Sequence, residues 1–95
     1  MTLIELVKGY YEFRGLVWPD ADQALMFLVS EVGELADAQV HSKAEWVRNN
    51  ARERDPADEA ADVLMMLTVY CIERGIDPIE ALKAKMKRKG YEAAV

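Results

Sequence analysis

Glu31 and Glu34 stand three residues apart, as do Glu59 and Asp62. On an α-helix that spacing puts both members of a pair on one side, so each pair can aim its carboxylates at a single point. Carboxylates gathered away from water need a cation or several hydrogen-bond donors to offset their charge. An all-oxygen donor set is hard, which suits Mg²⁺ or Mn²⁺ and disfavours zinc, whose usual ligands include Cys and His. A di-iron bundle would add a Glu-x-x-His motif from each of two helices, and the lone histidine, His41, follows neither Glu31 nor Glu59 at that spacing. A cation cluster in a cleft is in turn a receptor for polyphosphate. Acidic residues in a first helical turn have a plainer role, offsetting the helix dipole, and Asp55, Asp58 and Glu59 suit it. The second pair, however, runs directly into the most apolar stretch of the chain, and this favours the metal reading.

The elements that must position these residues are marked at their starts. Thr2…Glu5, Asp20…Gln23, Ser42…Glu45 and Asp77…Glu80 match the capping box, and Asp55…Asp58 is a shorter-armed version of it. Pro56 and Pro78 follow their caps, where a missing N–H costs nothing. Gly15, Gly75 and Gly90 stand where helices would stop. Alternating β-branched runs bounded by turns are absent. The chain therefore reads as all-α, a four-helix-bundle-like domain with one short extra helix, over roughly 3–14, 21–41, 43–50, 56–74 and 78–90. The first helix is expected to bury Leu3, Val7, Tyr10 and Tyr11. The second is expected to bury an arc of Leu25, Leu28, Val32, Leu35 and Ala36, with Glu31, Glu34 and Phe27 beside it. In the fourth, Val63 to Ile72 offers no polar face and asks for cover on every side. That places it centrally and at an interface between subunits, with Asp62 near the core.

Size and charge narrow the function classes. At 95 residues the chain, 1–95, is one domain with a modest core. A net charge of −5 argues against a nucleic-acid polymer as partner. The longest apolar run is too short to cross a bilayer, and the N-terminus lacks the pattern of a signal peptide. The single cysteine, Cys71, lies in an apolar stretch and reads as a core residue in a reducing compartment. A cytoplasmic location with no membrane partner is the expectation.

The runs Val29-Ser30-Glu31-Val32-Gly33-Glu34-Leu35-Ala36-Asp37 and Asp58-Glu59-Ala60-Ala61-Asp62-Val63-Leu64 resemble the MazG-like nucleotide pyrophosphohydrolases. That all-α superfamily, which includes the dimeric dUTPases, carries Glu-x-x-Glu, a variable spacer and Glu-x-x-Asp. The resemblance extends from about Trp18 to Tyr91. It implies Mg²⁺-dependent hydrolysis of nucleoside triphosphates to the monophosphate and pyrophosphate, removing unwanted nucleotides from the pool, by a homodimer or homotetramer. Glu31, Glu34, Glu59 and Asp62 become the metal ligands; Glu34 and Glu59 act in catalysis, with Glu34 the candidate to accept the proton of the attacking water.

Relatives also carry Lys-x-x-x-Asn-x-x-Arg near the end of the last helix. Lys83 to Tyr91 is basic but lacks the Asn. By resemblance Lys85, Lys89 and Tyr91 reach the phosphates, although cations in a last turn also simply offset its dipole. Trp18, His41 and Trp46 are candidate base contacts and Phe27 a candidate pocket wall; for each of them a structural role is the favoured alternative. Two other classes stay open: a nucleotide-binding or regulatory module without catalysis, and a structural helical partner whose acidic pairs are merely solvated.

Overall fold

The computed structural model describes residues 1–41 and 55–93. Within them the chain forms four helices and no strands: α1 (Leu3–Arg14), α2 (Ala21–His41), α3 (Pro56–Glu73) and α4 (Pro78–Arg88). The expected short helix over 43–50 lies outside the described residues.

The start signals work as their chemistry requires. Asp20 and Gln23 form the complete reciprocal box: the Gln23 N–H donates to Asp20 Oδ1 at 2.8 Å, and the Asp20 N–H to Gln23 Oε1 at 3.1 Å. Asp77 accepts from the N–H groups of Ile79 and Glu80, while the Glu80 carboxylate turns instead to Lys83 at 3.6 Å. Asp55 accepts from Ala57 alone. The stops are equally literal. Gly15 has φ 63° and Gly75 φ 68°, left-handed conformations that suit a residue without Cβ. After each, the next residue's N–H returns to the helix: Leu16 to the Tyr11 carbonyl and Ile76 to the Cys71 carbonyl.

α3 is central, as its composition demanded, packing on α2 along its length and on α1 more briefly. Val7 and Tyr11 of α1 meet Ala24 of α2 and Val69 of α3 in a small core, flanked by Leu3, Trp18, Met65, Met66 and Tyr70. Tyr10, expected inside, is exposed and instead receives Arg14, whose Nη1 donates to its hydroxyl at 3.0 Å. Cys71 is buried, as expected of a core residue.

Two further expectations change. The arc of α2 that faces α3 is Ala24, Leu28, Glu31, Leu35 and Ala38, all buried or half-buried, whereas Leu25, Val32 and Ala36 are exposed. The sequence supports two apolar stripes on α2, and the one that brings small Ala24 and Ala38 against α3 lets the backbones approach. α4 is the other difference. It starts near the N-terminus of α1 but makes no extensive packing with any other described helix, and its stripe of Ile79, Leu82 and Met86 remains exposed. The described body is thus three packed helices with a fourth set apart.

Candidate metal centre

Because Glu31 lies on the stripe of α2 that faces α3, its carboxylate is directed into the helix–helix seam. Glu34, one turn later, falls at the edge of that seam, and Glu59 comes from the first turns of α3 opposite. Each offers one carboxylate oxygen such that the three atoms lie within 4.8 Å of one another. All three residues are half-buried. The cluster thus draws on two helices whose antiparallel packing brings residue 31 to residue 59 at one level and residue 24 to residue 69 at another.

The electrostatics are those of acids crowded without sufficient compensation. The Glu31 carboxyl is pushed up to about 7 from an ordinary 4.5, first by burial, then by sharing a hydrogen bond with Glu34, then by the charges of Glu34, Asp62 and Glu59. Its Oε2 is shut off from solvent and has no hydrogen-bond partner among the described residues. Burial and the Glu31 charge also raise the Tyr11 phenol, so α1 lends its aromatic flank to the neighbourhood of the site. Sequence spacing alone gave no sign of that role, since Tyr11 reads only as a core residue.

The cluster suits a hard divalent cation: three oxygen donors converge, one of their carboxylates contains a buried oxygen without a donor among the described residues, and none of those residues adds a Cys or His ligand. Asp62 is placed differently from its expected position near the core. It is exposed, whereas Val63 and Met66 on the same helix are half-buried. It influences Glu31 through its charge and is not among the three oxygens that converge.

The remaining candidates are scattered. Phe27, seven residues before Glu34 and so on the same side of α2, is half exposed. Trp18 is tied into the fold: its ring packs edge-on against Tyr11 with centroids 4.9 Å apart, and its Nε1 donates to Glu73 Oε1. Together with Lys8, Glu12, Leu16 and Glu73 these two rings line an open cleft of about 570 Å³ at the far end of α3 from Glu59. Lys85, Lys89 and Tyr91 are exposed, and none is among the groups that shift Glu31. The side chain of His41, which closes α2, and all of Trp46 lie outside the described residues.

Comparison with protein-family models, with curated proteins and with solved structures yields no match to this chain.

Proposed function

We infer that this chain is a Mg²⁺-dependent nucleoside triphosphate pyrophosphohydrolase of the MazG-like type, cleaving between the α- and β-phosphates and clearing unwanted nucleotides. The observation that supports the reading most is the meeting of Glu31, Glu34 and Glu59, drawn from both motif pairs, around a buried carboxylate oxygen that lacks a donor. Three acids on two helices pay an electrostatic cost in the bare fold, and a divalent cation is the simplest partner that removes it.

Glu31, Glu34 and Glu59 would hold the cation, with Asp62 at the open edge. A divalent ion bound there supplies charge to offset a triphosphate and lowers the pKa of a water in contact with it. Glu34, at the rim of the seam, is the carboxylate suited to take the proton of an attacking water. Glu59 holds the opposite wall. Phe27, beside Glu34, would border the nucleotide, and Lys85, Lys89 and Tyr91 are the cationic and polar groups suited to its phosphates. Homodimers or homotetramers remain the expected assembly of such an enzyme.

The test is to incubate the chain with a panel of nucleoside triphosphates and Mg²⁺ and to resolve the products. Monophosphate with pyrophosphate is expected; diphosphate with orthophosphate would contradict cleavage at the α-phosphorus. Glu59→Gln should abolish turnover while leaving the helical signal intact. Triphosphate binding without turnover, at high protein concentration, would move the chain to the class of non-catalytic nucleotide-binding modules.

A further inference from the structure

We propose that the cleft where α1 and α3 end is a second ligand site, separate from the acidic cluster, and that it takes an organic monocation: one ammonium or guanidinium group on an apolar body. Glu73 lies fourteen residues after Glu59 on α3, about 21 Å along the helix axis. A small molecule seated there touches none of the three converging carboxylates.

The walls of the cleft follow from how two helices stop. α1 and α3 run in the same direction, since Leu3 and Ala61 border one pocket toward their starts and Leu16 and Ile72 border the cleft at their ends. Gly15, at φ 63°, turns the chain out of α1, and the Leu16 N–H returns to the Tyr11 carbonyl. That turn brings Trp18 against Tyr11, edge-on, with Leu16 and Ile72 supplying apolar surface beside the rings.

The charge around the rings is mostly negative. Glu12 and Glu73 line the cleft against a single Lys8. Both helices that stop here present the negative ends of their dipoles, and the last turn of α3 holds no basic residue. Arg14, in the last turn of α1, turns to the Tyr10 hydroxyl, and Arg74 is not among the lining residues. The start of α2 carries its own acid, Asp20, which accepts from the Gln23 N–H.

Trp18 Nε1 donates to Glu73 Oε1. This leaves the second carboxylate oxygen for a ligand and makes the indole face more negative, because linked hydrogen-bonding groups polarise one another. A cation is attracted to such a face. Two carboxylates against one ammonium leave the lining one negative charge, which one positive charge balances. An anion would meet both acids, and a neutral apolar body would strip water from them without replacing it. Space suffices, since about 570 Å³ falls within the roughly 300–1,000 Å³ of small-ligand sites. A free amine and the basic side chain of a peptide both supply this chemistry.

The proposal does not depend on the hydrolase reading, and its test reads binding instead of turnover. In Trp46→Phe, Trp18 is the remaining tryptophan, and its emission reports on the cleft. Phenethylamine should change that emission saturably, and calorimetry on the parent chain should give the same Kd. It should bind at least about tenfold more tightly than 2-phenylethanol or phenylacetate, which keep the ring and remove or reverse the charge. Glu73→Gln, whose amide oxygen can still accept from the indole, should weaken phenethylamine about tenfold and abolish its advantage over 2-phenylethanol. N-acetylarginine amide separates the sources: tighter binding than phenethylamine assigns the cleft to a basic peptide side chain, and weaker binding to a free amine. No binding of either cation at up to about 10 mM, equal affinity for phenethylamine and 2-phenylethanol, or an unchanged Kd in Glu73→Gln would each overturn the proposal.

Discussion

At the scale of single residues, Glu31 is the informative group. A carboxyl at the centre of a helix–helix seam is normally replaced by an aliphatic side chain, and here its charged form is opposed by burial and by three acidic neighbours. The consequence for stability has a definite sign. The folded protein holds the Glu31 proton up to about 7, the unfolded chain only to about 4.5. Between those values the folded state binds more protons, so the stabilisation present below pH 4.5 is lost as pH rises through 7. Thermal melts in chelator should thus show a midpoint that falls from pH 5 to pH 8; a flat or rising profile would contradict the environment described for Glu31. Glu31→Gln, which keeps the shape and removes the charge, should raise the metal-free midpoint above pH 7 and flatten that profile. The same variant should lose any stabilisation by Mg²⁺, a second readout that a general packing effect would not produce.

At the scale of elements, α3 carries the fold and α2 carries the site. Val69 is fully buried at the point where all three packed helices meet. Val69→Ala removes two methyl groups there and should destabilise by about 2 kcal/mol or more, transfer and cavity costs combined. The start of α2 depends on the reciprocal Asp20–Gln23 box. Asp20→Ala leaves the Gln23 N–H without its acceptor and should cost about 1 kcal/mol. On a domain of this length each kilocalorie lowers the midpoint by roughly 4–8 °C, so urea or thermal denaturation resolves both variants. An Asp20→Ala protein as stable as the parent would mean that the cap is replaced by water at no cost.

At the scale of the whole molecule, the described core is small and much apolar surface is left over, on the outer stripe of α2, on Leu64 and Leu67 of α3, and on α4. Cation binding acts on the stability of the molecule as a whole. At a Mg²⁺ concentration of about 100 times its Kd, the folded state gains about 2.7 kcal/mol. A titration with Mg²⁺ in the absence of nucleotide should therefore raise the midpoint by roughly 10 °C or more. No response to Mg²⁺ or Mn²⁺ would leave the acidic pairs as a surface feature and remove the basis of the proposed chemistry.

Much of this was legible in the amino-acid order, because the signals are local. A cap, a proline at the first turn and a glycine at the stop act within a few residues, so α1, α2, α3 and α4 begin and end within a residue or two of where the sequence puts them. The pairs Glu31/Glu34 and Glu59/Asp62 were equally plain, since helical spacing is a property of one segment. Which side of α2 turns inward was not. Its two apolar stripes, one through Leu28 and Leu35 and one through Leu25 and Val32, are near equals by composition, and only packing against α3 chooses between them. That choice set Glu31 in the seam instead of beside it, turned Asp62 outward, and left the second stripe open. Sequence determined the helices and the chemistry available on them; the tertiary structure decided which oxygens converge, because convergence depends on the rotation of one helix against another, which no single segment encodes.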